Sequence, residues 1–165
     1  MTTLDSDVTS LLQAMGSQLR PMLSSDPLFV GIHTGGVWLA QRLCQQLNVA
    51  TSIGTIDISF YRDDFSRVGI HPQVKASHLP EPIDDRHIIL VDDVLHTGRT
   101  IRAALNEIFA YGRPRRVSLA VLVERGGREL PIQPDVVATH MELDPGEHVK
   151  LLGPEPLTLQ RMERR

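Results

Sequence analysis

A chain of 165 residues, 41% hydrophobic and 22% charged, is long enough for one substantial core and is composed like an ordinary globular domain. A net charge of −3 excludes a strongly basic nucleic-acid coat, and the single cysteine, Cys44, excludes an intrachain disulfide, so the expected setting is cytoplasmic. No apolar run approaches the length of a bilayer span and no basic-then-apolar leader opens the sequence, so no membrane role is expected.

In chain order, Val8, Leu11, Leu12, Met15, Leu19 and Met22 recur at helical spacing. Asp5, Ser6 or Asp7 can cap that helix, and Pro21 marks its end. Residues 27–32 are apolar and read as the first core strand, closed by His33-Thr34-Gly35-Gly36. A second helical pattern follows over residues 37–47, with Cys44 as a core residue. Residues 50–60 read as a strand that alternates from about Ile56 onward. Beyond it, residues 65–86 are polar, contain proline and carry little period; such a long connection inside a compact domain is commonly a lid.

The centre of the sequence is Ile88-Ile89-Leu90-Val91-Asp92-Asp93-Val94-Leu95-His96-Thr97-Gly98-Arg99-Thr100. Its apolar run is short and β-branched, as in a strand buried on both faces of a parallel sheet. Two carboxylates follow, then a small, hydroxylic loop that opens a helix over residues 99–111, stopped by Gly112 and Pro114. Ligands of open α/β sheets bind beyond the carboxyl ends of the strands. A loop running into a helix amino terminus offers N–H groups and a positive dipole end to a phosphate. Paired carboxylates beside it suit vicinal sugar hydroxyls or a hydrated Mg²⁺. The stretch therefore reads as a ribose 5-phosphate cradle. Arg113, Arg115 and Arg116 then form a small basic cluster, and residues 117–123 read as another buried strand. The tail holds two short strand candidates, residues 136–138 and 147–152, and ends basic.

Residues 88–100 resemble the phosphoribosyl-pyrophosphate (PRPP) signature of type I phosphoribosyltransferases. Leu119-Ala120-Val121-Leu122-Val123-Glu124-Arg125-Gly126, Arg128-Glu129-Leu130-Pro131-Ile132, and the stretch from Asp57-Ile58 to Tyr61-Arg62-Asp63-Asp64 narrow this to the PyrR family. That family comprises pyrimidine-operon attenuation regulators that are also uracil phosphoribosyltransferases. The resemblance runs over roughly residues 31–132, with a weaker tail.

The resemblance implies one α/β domain over residues 1–165 with the type I phosphoribosyltransferase fold: a mostly parallel twisted sheet, flanking helices, a small hood and a flexible active-site loop over about residues 62–86. It implies that uracil and PRPP give UMP and pyrophosphate, with regulation of pyrimidine genes alongside. The 5-phosphate would lie on Leu95, His96, Thr97, Gly98, Arg99 and Thr100. Asp92 and Asp93 would hold the ribose hydroxyls and Mg²⁺, and pyrophosphate would sit over Thr34, Gly35 and Gly36. Uracil would lie by Val123, Glu124 and Arg125. Arg62, joined with less reason by Arg67 and Lys75, would neutralise the leaving group. Self-association is implied, and RNA is a further partner.

Three positions depart from the family pattern. Gly35 stands where arginine is common, which removes one cation from the leaving group. His96 stands where tyrosine is usual, which argues against a purine. Arg20 is the one basic residue before Ile32, which weakens the case for an RNA surface. The alternative reading is a nucleotide-sensing regulator that binds UMP or PRPP and nucleic acid with little turnover; a transferase for another base is a third.

Overall fold

The computed structural model describes residues 2–3, 7–58 and 77–163. The first helix, α1 (Val8–Leu19), starts where Asp7 accepts the Thr9 N–H at 3.0 Å. It continues into a 3₁₀ turn, Arg20–Ser25, with Pro21 near its start. The parallel strands are β2 (Leu28–Ile32), β3 (Gly54–Ile56), β4 (His87–Leu95), β5 (Arg116–Arg125) and β6 (Val136–Met141). They lie in the order β3-β2-β4-β5-β6, every neighbouring pair parallel. The helices α2 (Gly35–Gln46) and α3 (Arg99–Tyr111) make the crossovers on opposite faces.

Strand β4 shows why the apolar run needs no alternation. Ile89 and Val91 pack into the core shared with α1 and α2, while Ile88 and Leu90 pack into the core under α3. All four are fully buried, worth about 1.5–3 kcal/mol each relative to exposure. Cys44 belongs to the α2 core, and burial pushes its thiol up to about 11. At the amino end of β4, His87 Nδ1 lies 2.6 Å from Ser25 Oγ and its Nε2 lies 2.8 Å from Ser118 Oγ, so both ring nitrogens are hydrogen-bonded.

The hood is a separate antiparallel sheet built from both ends of the described chain. Strand β1 (Thr2–Thr3) pairs with β8 (Thr158–Glu163), and β8 pairs with β7 (Glu147–Leu152), leaving β7 at an edge. Val149, Leu151 and Leu159 fix it to the core.

Two expectations change, and one strand had none. The acid pair does not follow the strand but belongs to it, because β4 keeps its pairing with β5 through Leu95. The connection expected to be flexible to residue 86 is tied down from residue 77. The His78 and Thr55 backbones exchange two 2.8 Å hydrogen bonds, and Asp57 N–H reaches Ser77 Oγ. Arg86 pairs with Glu81 and donates to Asp26 O. Strand β8 had no sequence expectation, since most of its positions are polar and Leu159 is its one fully buried residue.

Candidate functional site

The order of the sheet creates the site. After β2 the chain crosses by α2 toward β3, and after β4 it crosses by α3 toward β5. The two connections diverge between neighbouring strands, which opens a crevice at the carboxyl ends of β2 and β4. Both helix amino termini face that crevice. Neither N-cap residue, Thr34 or Gly98, caps its helix with its own side chain, and although Arg99 N–H donates to Thr97 Oγ1 at 3.1 Å, each terminus keeps backbone donors and a positive dipole end on the crevice.

The loop entering α3 is held from outside. Glu129 and Leu130 N–H donate to Thr97 O at 2.9 and 3.2 Å, and Arg128 donates to His96 O at 2.6 Å. Arg99 Nε pairs with Glu129 at 3.1 Å. Gly98 takes φ of +93°, a conformation that strains any residue with a Cβ. These contacts shape residues 95–100 without filling their inner side. The exposed His96 is held below the usual imidazole range, first by desolvation and then by the Arg125 charge.

Between the two helix termini stand the carboxylates. Asp92 is buried and Asp93 half-buried. Asp93 N–H donates to Asp92 Oδ1 at 2.9 Å, and Val94 N–H donates to Asp93 Oδ1 at 2.8 Å, which fixes both carboxyl groups on the backbone. The loop entering α2 presses on them: a Cβ on Gly35 would lie 2.5 Å from Asp93 Oδ2. A side chain at position 35 would have to displace the Asp93 carboxylate or the loop itself. The backbone there leads through a cis peptide between His33 and Thr34.

One cavity of about 740 Å³ unites these parts. Thr34 and Gly35, Asp92 and Asp93, the whole of residues 95–100, and Arg125 line it. Three predicted residues do not reach it. Gly36 lies beneath, packed against the β4 backbone at Val91 and Asp92. Val123 is turned into the core with no exposure. Glu124 is taken by an ion pair with Arg128 and by His140 Nδ1 at 3.0 Å. Of the loop expected beside a base, Arg125 alone borders the cavity. Its Nη1 donates to Glu147 O at 3.2 Å, while its buried Nε has no partner among the described residues. Burial holds the Arg125 guanidinium below its ordinary range. Arg62, Arg67 and Lys75 lie outside the described residues.

The sequence reading missed the roof. Trp38 from α2 and His148, Val149, Lys150 and Leu151 from β7 complete the lining. The period-two pattern at residues 147–152 signalled a strand, but nothing local says over which loop a terminal hairpin folds.

The donor set fits a hard divalent cation. Two adjacent carboxylates supply oxygen ligands, and Mg²⁺ is commonly held by one or two carboxylates together with substrate phosphates. Among the described residues no group of three or more His, Cys, Asp or Glu gathers for an all-protein metal site. A cation here would therefore share its coordination with substrate.

Comparison with known proteins agrees with this fold. The phosphoribosyl transferase domain model matches residues 16–150. The Bifunctional protein PyrR of Nitrosococcus oceani is 61% identical over 151 residues, covering 90% of this chain and 83% of that one. That of Pseudomonas aeruginosa is 55% identical over 155 residues, covering 92% and 91%. Among solved structures, a purine phosphoribosyltransferase from Pyrococcus horikoshii superposes with a TM-score of 0.63 at 24% identity, covering 81% of this chain and 82% of that one. A hypoxanthine-guanine phosphoribosyltransferase from Bacillus anthracis gives 0.66 at 17%, covering 86% and 84%. The last two show the shared fold.

Proposed function

The chain belongs to the PyrR family of phosphoribosyltransferases, and from that premise we propose that its cavity transfers the phosphoribosyl group of PRPP to uracil, giving UMP and pyrophosphate. A role in regulating pyrimidine biosynthesis genes accompanies the catalysis. The observation that carries the reading is the fixed Asp92–Asp93 pair standing between two helix amino termini in one cavity.

The roles follow from the chemistry of each part. Residues 95–100 take the 5-phosphate on backbone N–H groups and on the Thr97 and Thr100 hydroxyls. Asp92 and Asp93 accept from the ribose 2- and 3-hydroxyls, and Mg²⁺, when bound, screens the pyrophosphate charge there. Thr34 and Gly35 present the α2 amino end to the leaving group, and Arg125 faces the base. The bond from the anomeric carbon to the pyrophosphate oxygen breaks, the bond from that carbon to the uracil nitrogen forms, and the nitrogen loses its proton. Positive charge develops on the sugar in between, as in other glycosyl transfers. No covalent nucleophile is needed, so the protein's contribution is positioning and electrostatic stabilisation.

Assembly with further copies of this chain, and RNA as a partner of the regulatory role, belong to the same proposal. The test is product formation from PRPP and Mg²⁺ with uracil, orotate, hypoxanthine, guanine and adenine in parallel. UMP from uracil alone is expected. Turnover of none of the bases, with PRPP or UMP still bound, would replace the transferase by a nucleotide sensor.

A further inference from the structure

The floor of the cavity is poor in side-chain charge where the leaving group would lie. Thr34 and Gly35 line it there and carry none. Of the lining cations, Arg99 is engaged by Glu129. Lys150 is exposed, lines the cavity from the roof, and makes no ion pair or side-chain hydrogen bond among the described residues.

The course of β7 says which part of a substrate Lys150 meets. At its start, Glu147 O accepts from Arg125, on the base side. Just past its end, a Cβ on Gly153 would lie 2.9 Å from the Trp38 ring. Trp38 belongs to the first turn of α2, where its N–H points back to Thr34 O at 3.4 Å. The strand therefore bridges the cavity from the base loop to the loop of Thr34 and Gly35. His148 stands at the Arg125 end, and Lys150 follows about 7 Å further toward Trp38. Uracil is neutral and pyrophosphate is a polyanion, and a lysine on a flexible four-carbon stem is a mobile point charge suited to phosphate oxygens.

We propose that Lys150 Nζ contacts the departing pyrophosphate, supplying from the hood the side-chain cation that Gly35 does not supply from the floor. This rests on the transferase reading of the cavity and adds a residue to it. It also accounts for how the chain tolerates glycine at position 35: the close approach of Asp93 crowds a side chain there, and the charge enters from the opposite wall.

The experiment compares wild type, Lys150→Met and Lys150→Arg. It measures steady-state KM for PRPP and for uracil, and calorimetric binding of inorganic pyrophosphate with Mg²⁺ and of UMP. Because Lys150 is exposed, neither variant threatens the fold. Lys150→Met is expected to weaken PRPP and pyrophosphate by about tenfold, the scale of one charge-assisted contact. Uracil KM and UMP affinity stay within about twofold, and Lys150→Arg recovers most of the loss. Unchanged pyrophosphate affinity in Lys150→Met, or a change confined to uracil and UMP, would overturn the assignment. A wild-type chain that binds pyrophosphate through Lys150 yet turns over no base would defeat the transferase reading and leave the Lys150 contact standing.

Discussion

Strand β4 carries buried polar groups at both ends, and the two ends are built to opposite purposes. At the amino end, His87 is enclosed, and each ring nitrogen meets a serine hydroxyl. Its surroundings are complete, which is how buried polar groups in a structural network are held. At the carboxyl end, Asp92 and Asp93 are fixed by backbone N–H donors on one side while the cavity borders them on the other. One strand thus separates polar groups enclosed in the fold from polar groups that border an open cavity. The second kind is marked by fixed geometry beside open volume.

Substitutions at the two ends should therefore divide between activity and stability. The largest effect belongs to Asp93→Asn, which keeps the shape and removes the charge. UMP formation should fall by about 10²- to 10³-fold with little change in melting temperature. Equal losses of activity and stability would make the acid pair a structural feature like His87. Gly35→Arg comes next. It adds the cation that the family resemblance leads one to expect at this position, yet its Cβ would lie 2.5 Å from Asp93 Oδ2, so kcat/KM should drop by about 10- to 100-fold; a gain would show that the loop yields. Gly98→Ala, at φ +93°, should cost about 1–2 kcal/mol by denaturant titration and raise KM for PRPP more than KM for uracil.

The smallest effect concerns acid stability. Burial first, then the Arg116 and Arg115 charges, hold His87 below its ordinary value of 6.5, against a weaker pull from Asp135. Below pH 6.5 the unfolded chain binds a proton at this histidine that the folded chain refuses, so stability falls as pH falls, by at most about 1.4 kcal/mol per pH unit. Denaturation midpoints between pH 7.5 and 5 should show this slope flattened in His87→Gln. An unchanged slope would assign the acid loss to other groups.

The legible parts of this molecule are those in which neighbours along the chain do the work. The run before Asp92, the helix over residues 99–111 and its stop at Gly112 are local patterns; the structure repeats the helix residue for residue and contains the run within β4. The order of acids, hydroxyls and glycine along one turn made the loop that lines the cavity readable for the same reason. Glu124 was misjudged because its partners, Arg128 and His140, come from beyond a turn and from another strand. Lys150 went unnoticed because its meaning depends on a hairpin folding back across more than a hundred residues to Trp38. Strand β8 is polar outside and anchored by one leucine, too faint a period to stand out.

The pairing of Thr2 with Arg161 has a kinetic consequence. The parallel sheet is joined mostly by nearby crossovers, whereas this ladder closes a loop of almost the whole chain, and long loops are slow to close. The catalytic floor can form while the roof is still open. In pulsed hydrogen exchange during refolding, β4 and α3 should gain protection ahead of β1 and β8, and the ability to retain PRPP should arrive with the later phase.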